Sequence, residues 1–298
     1  MSTYNKASVD NQAGRFGSAS LVNSAHTFSP NNLRDKSVVI TGAASGIGEA
    51  SLRAFVKAGA YVTFLDQSDR GQAIEAEIGS DKVAFVRGDV SNWSDQRRLF
   101  QTAVERAPTK QVDIVFANAG VGSPSTVTLA DPEEPIEPDL KQVSVNLNGC
   151  LYATKLALHY FRRRSAVLSS PGCLIFTSSV TGYTHSENGV RGLMRSLRVA
   201  IPESEMRVNI LAPWFVRTRI VSEKIWDWYT KSSGALFCDV EDAATAVLHM
   251  ACDESIHGRC LTVAPREVAS RGYVDLDRDG YDVEHVLAGW YKSQQPKL

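Results

Sequence analysis

Seven short runs of apolar residues recur along the chain with amphipathic stretches between them, and this alternation restricts the fold more than any other feature. The runs are SVVIT (37–41), YVTFL (61–65), KVAFV (82–86), DIVFA (113–117), CLIFT (173–177), RVNIL (207–211) and RCLTV (259–263). Each is too short for a helix and apolar without alternation, as expected of strands buried on both faces. Trp93, Gln96, Phe100, Ala103 and Ala107 keep helical spacing, as do Leu140, Val143, Leu147, Leu151 and Leu158. Strands alternating with helices imply right-handed crossovers, and hence an α/β fold with a single doubly wound parallel sheet of about seven strands.

The stretch VVITGAASGIGEA (38–50) sets Gly42, Gly46 and Gly48 after the first strand and at the start of a helix. Glycines there let the backbone approach a pyrophosphate, whose charge is favoured by the helix N-terminus. In this strand–glycine–helix context the pattern marks a Rossmann-type dinucleotide site over Gly42, Ser45, Gly46, Ile47 and Gly48. A tight turn without a ligand is the plainer alternative. Asp66 ends the second run, where a carboxylate can accept from the ribose hydroxyls and repel a 2′-phosphate. With no Lys or Arg in the glycine loop or immediately after Asp66, NAD is expected in preference to NADP. A helix-capping role is the alternative for Asp66.

TGAASGIG, GDV (88–90), NAG (118–120), VNLNG (145–149), TSS (177–179), RVNILAP (207–213) and VRT (216–218) follow one another in this order. The series resembles the motifs of the short-chain dehydrogenase/reductase family, over about residues 35 to 265. The wording around GVRGLMRSLR and APWFVRT is most similar to fungal members that act in secondary metabolism. The resemblance implies adenine contacts from Asp89 and Val90, a part for Asn118 near the adenosine ribose, and nicotinamide contacts from Val216 and Thr218. A turn residue, a strand-end cap and a core residue are the respective alternatives. It also implies hydride transfer on a hydroxy or keto group, with Ser179 positioning the substrate oxygen and Asn146 holding a water on the proton path.

The family's proton exchanger is a tyrosine thirteen residues after the serine, with a lysine four further on. Here those positions hold Gly192 and Ser196. Anchoring on GVRGLMRSL instead aligns Tyr183 with the tyrosine and Glu187 with the lysine, so YTHSE replaces YxxxK and nine residues are missing; in a rival alignment Tyr183 belongs to a strand-end turn and the tyrosine is lost as well as the lysine. A carboxylate one helical turn from a phenol disfavours its ionisation. The proton relay is therefore expected to be impaired, with His185 as a substitute carrier or a plain loop residue. A non-redox cyclase or isomerase, or an inactive nucleotide-binding protein, is the alternative function.

At 298 residues with a formal net charge of −1, the chain offers no electrostatic ground for a nucleic-acid or membrane partner. Residues 1–34 read as a disordered tail without a secretory signal, 35–265 as the nucleotide-binding domain, and 266–298 as an extension. The resemblance implies that 219–240 covers the substrate, and its aromatics suggest a large apolar small molecule there or simply pack that lid onto the core. Five cysteines without a CxxC pair suit a reduced, cytoplasmic protein. His257 and Cys260 are half a metal spacing, expected to lie in a surface turn, so no metal site is expected. DLDRDG (275–280) lacks the acidic twelfth position of a calcium loop and reads as a charged turn. The resemblance implies a homo-oligomer formed through the helix over 140–164 and the one starting near Glu187.

Overall fold

The computed structural model describes residue 22 and residues 28–122, 134–164, 170–180, 185–220, 223–233 and 235–275, without side chains at 185–187, 225, 232 and 233. The sheet has the strand order β3-β2-β1-β4-β5-β6-β7-β8. Its strands are β1 (Ser37–Thr41), β2 (Tyr61–Asp66), β3 (Val83–Arg87), β4 (Ile114–Ala117), β5 (Gly172–Thr177), β6 (Met206–Pro213), β7 (Cys260–Val263) and β8 (Tyr273–Asp275). The first seven coincide with the apolar runs to within two residues at either end and pair in parallel. Successive side chains of β1 show why the runs do not alternate. Val38 and Ile40 enter one apolar core and Val39 the other, all at 0% exposure.

The helices are α1 (Gly46–Lys57), α2 (Arg70–Ile78), α3 (Trp93–Arg106), α4 (Gly149–Phe161), α5 (His185–Ala200), α6 (Glu223–Ser233) and α7 (Val240–Cys252). One sheet face is covered by Leu52 and Phe55 of α1, Ile74 of α2 and Val247 of α7. On the other lie Leu99 and Phe100 of α3, Ala153 and Ala157 of α4, and Val190 and Met194 of α5. Asn92 starts α3 by accepting the Ser94 and Asp95 N–H groups, as a capping asparagine does.

Three features depart from the expectation. An eighth strand, β8, pairs antiparallel with β7, out of residues set aside as an extension. Three residues are too few to show a pattern, and its Asp275 is no charged-turn residue, since it forms a buried ion pair with Arg259 at 2.6 Å. At the other end, Pro30–Leu33 forms a 3-10 turn whose Leu33 is buried, and Phe28 stacks on His249 at 4.8 Å. The folded part therefore begins before residue 35. Finally, the leucines at 140 and 151 do not face the core; they are 54% and 43% exposed. The reason is a π turn over Val143–Asn148, which inserts an extra residue and rotates the stripe, so that Val145, Cys150, Ala153, Leu156 and Ala157 are buried instead.

Candidate active site

The strand order reverses between β1 and β4, which pair directly, and ligands of open α/β sheets bind in the crevice at such a switch point. The loop after β1 is built for close approach. Gly42 has φ +68°, and a Cβ on it would come within 2.7 Å of Ala119 Cα. A Cβ on Gly48 would meet the Gly42 carbonyl oxygen at 2.2 Å and Asn118 Nδ2 at 2.7 Å. No other residue type fits this cradle, and it leads into the N-terminus of α1, where Ser45 is the N-cap and does not cap with its side chain. Ile47 packs half-buried on the core beside it. These residues suit a dinucleotide, whose pyrophosphate would take the N–H groups at the start of α1.

Around the cradle the predicted residues divide into those with reach to spare and those already engaged. Asn118 is fully engaged: Nδ2 donates to the Thr41 and Gly42 carbonyls at 3.1 Å, and Oδ1 accepts from Thr177 Oγ1 at 3.1 Å. Its side chain braces the loop across β1, β4 and β5. Asp66 accepts the Ala44 N–H through Oδ2 and the Ser68 N–H through Oδ1, both at 2.9 Å, so it grips the loop while keeping one lone pair per oxygen. Asp89 closes a turn by accepting from Ser91 N and Ser91 Oγ. Val90 is buried against Gly149, its carbonyl held by Gln96 Nε2 at 2.6 Å. Thr218 abuts the loop, since a Cβ on Gly46 would lie 3.0 Å from Thr218 Cγ2, and Val216 is buried in a bridge to Cys238. Burial, helped by Asp242, pushes the Cys238 thiol up to about 11, which leaves it no nucleophile there.

The catalytic candidates are brought together only in part. Asn146 lies in the π turn and clasps the backbone past β4. Its Oδ1 accepts the Val121 N–H at 2.9 Å and its Nδ2 donates to the Val121 carbonyl at 3.1 Å. Single π turns of this kind often mark functional sites. Ser179 is half-buried just past the end of β5, and α5 starts six residues later, at His185. Tyr183 lies outside the described residues. Gly192, thirteen residues after Ser179, sits on the outer side of α5, where a Cβ would have nothing within 4 Å, so that register puts no side chain toward Ser179. Gly189 does pack inward, close to Leu147 of the π turn.

Several participants were not foreseen. Arg70 reaches back to the glycine loop, its Nε donating to the Ala44 carbonyl at 2.9 Å. A cation one helical turn beyond the end of β2 was the available signal, although it does not follow Asp66 immediately. Gln96, spaced as an apolar residue, is fully buried and ties Val90 to Gly149. In the lid region, Trp226 is buried with Nε1 on the Thr218 carbonyl, and Phe215, Tyr229 and Phe237 pack around it. Those rings pack the lid, while Trp214 and Trp228 stay exposed at 45% and 58%. His257 is no surface-turn residue either, because it accepts the Val208 N–H while Cys260 is buried in β7. Among the described residues, no helix is long and apolar enough to cross a membrane.

Comparison with known proteins gives the same outline. The chain is 34% identical to 5′-hydroxyaverantin dehydrogenase of Dothistroma septosporum, over 88% of this chain and 91% of that protein. It is 30% identical to NADP-dependent dehydrogenase M3 of a Phoma species, over 82% and 79%. Its fold superposes on a 3-ketoacyl-(acyl-carrier-protein) reductase of Brucella melitensis, complexed with NADH, with a TM-score of 0.66 and 25% identity, covering 78% of this chain and 97% of that one. The sequence pattern of the short chain dehydrogenase family matches residues 36–228. That match runs from the residue before β1 into α6 and takes in the glycine cradle, the Asn146 clasp and Ser179, so the chain belongs to the short-chain dehydrogenase family.

Proposed function

We propose that the chain is an NAD-dependent oxidoreductase that acts on a hydroxy or keto group of a large, largely apolar secondary metabolite, with a weakened proton relay. The observation that carries the reading is the Asn146–Val121 clasp, which fixes the mouth of the crevice beside the glycine cradle. The likeness to a dehydrogenase of 5′-hydroxyaverantin supports the substrate class, as do the exposed Trp214 and Trp228. Asp66 supports NAD, since its carboxylate stands at the loop where a 2′-phosphate would need a cation. Five buried free thiols suit a reducing, cytoplasmic setting.

When bound, the nicotinamide supplies the hydride acceptor or donor. The chain's part begins with the cradle and α1, which hold the pyrophosphate, and with Asp66, which orients the ribose. Ser179 positions the substrate oxygen, and Asn146 keeps the strand end in place for a water on the proton path. Tyr183 exchanges the proton without a lysine four residues on. At pH 7 an unassisted phenol of pKa ~10 is ionised in about one molecule per thousand, and bringing it to half ionisation takes about 4 kcal/mol. Glu187, at the lysine's spacing, raises that cost.

The test is nicotinamide absorbance with NAD+ and a panel of polycyclic aromatic alcohols, each carrying deuterium at the carbinol carbon. Slow reduction that quickens as pH rises toward ~10 is expected. Nucleotide binding with no deuterium transferred to the nicotinamide at any pH overturns the redox assignment.

A further inference from the structure

Resting on the nicotinamide-nucleotide reading of this site, we propose that Glu49 acts as a specificity lock, holding Arg70 so that the chain discriminates against a 2′-phosphate. Arg70 is the cation that touches the adenosine side of the loop. Its Nε donates to the carbonyl of Ala44, the residue whose N–H is held by Asp66. Its Nη2 donates to both oxygens of Glu49 at 2.9 Å. Glu49 is the more buried partner, with a side chain 15% exposed against 43% for Arg70. Arg53 also binds Glu49, at 3.1 Å, and reaches Glu77 at 2.7 and 2.8 Å. Two arginines and two carboxylates thus sum to zero charge beside a third carboxylate, Asp66. A guanidinium answers a 2′-phosphate through paired N–H donors, and here the Nη2 donor is committed to Glu49. The net charge next to the ribose is therefore unfavourable to a phosphate although an arginine is present.

The lock makes the ratio of NADPH to NADH dissociation constants the informative quantity, because removing a carboxylate in the first turn of α1 helps any phosphate. Glu49→Gln keeps the shape and releases Arg70, and it is expected to lower that ratio at least about tenfold, or ~1.4 kcal/mol. Glu49→Gln combined with Arg70→Ala is expected to return the ratio to its original value. Glu77→Gln, which takes one carboxylate from Arg53 and leaves Arg70 on Glu49, is expected to leave it unchanged. Nicotinamide fluorescence reads the constants, and the melting shift with adenosine 2′,5′-bisphosphate against ADP reads the adenosine side alone. An unchanged ratio in Glu49→Gln overturns the lock, and so does a drop that survives Arg70→Ala or appears equally in Glu77→Gln. Failure of the unmodified chain to bind either nucleotide overturns the cofactor reading and the lock together. Binding of NADPH as tight as NADH by the unmodified chain overturns the lock and the preference for NAD, and leaves the nicotinamide-nucleotide reading standing.

Discussion

His257 accepts the Val208 N–H through Nδ1 at 3.1 Å, a bond open only to a ring left unprotonated at that nitrogen. Burial first, and then the charges of Arg198 and Arg207, lower its pKa to about 4. Between the unfolded value of ~6.5 and 4 the unfolded chain takes up a proton that the folded one refuses. This contribution to stability is present above ~6.5 and is lost as pH falls, by on the order of 3 kcal/mol. His257→Asn keeps an acceptor without the titration, so the difference in urea-unfolding free energy between pH 7 and pH 4.5 should shrink by about 2 kcal/mol, since pH 4.5 stops short of the folded pKa. An equal difference in both proteins would show that His257 does not titrate in this way. Sequence spacing alone put this histidine in a surface turn. What it lacked was β6, which lies 49 residues earlier and supplies the N–H. Asp66 is the contrary case. Its place at the end of β2 could be counted from Gly42, because both belong to one local βα unit. Which oxygen holds Ala44 could not be counted, and neither could the return of Arg70 to the loop.

Elements were legible wherever one period governed them. The seven parallel strands show in the sequence because burial on both faces leaves an unbroken apolar run, whereas β8, with three residues and one long-range ion pair, leaves no such trace. Likewise α4 was misphased by the π turn, a change of hydrogen-bond register that no side chain announces. Tertiary demands on a polar residue were hidden too, as Arg207 shows. It is 2% exposed, and its two terminal nitrogens donate to the carbonyls of Met250, Ala251, Asp253 and Ile256 at the end of α7. Those carbonyls have no helical donor, and a cation there also meets the negative end of the helix. Arg207→Met leaves these buried carbonyls without their donor and should cost at least about 1–3 kcal/mol, read by urea unfolding. A loss under ~1 kcal/mol would mean that water replaces the guanidinium. The start of α5 carries the remaining element-scale expectation. Glu187→Lys alone should restore little turnover, since α5 still begins six residues after Ser179, and misplacement of about 1 Å costs ~100-fold. Glu187→Lys with nine residues inserted between Ser179 and Tyr183 should raise turnover sharply on the same alcohol panel. If the unmodified chain already matches that variant, its relay is intact and another group carries the proton.

At the scale of the molecule, the two leucines of the stripe that stay outside the core need an explanation of their own. Leu140 and Leu151 are exposed on the α4 side, and Trp93, 38% exposed at the start of α3, meets Tyr152 edge-on at 5.5 Å. Exposed apolar side chains on two neighbouring helices suit an association face. Two copies meeting there about a two-fold axis would each present the same patch, and a stable contact of that type buries roughly 1,200–2,000 Å² in total. We therefore expect light scattering at micromolar concentration to give at least twice the 32.5 kDa chain mass. Leu151→Glu should return that species to single-chain mass, because a charge at the centre of an isologous patch is buried twice, once from each copy. NADH affinity should be unchanged, since Leu151 lies outside the glycine cradle and outside the residues around it. A single 32.5 kDa species for the unmodified chain would reject the association. Loss of NADH binding together with loss of the dimer would instead mean that the face supports the crevice, through the π turn that connects α4 to Asn146.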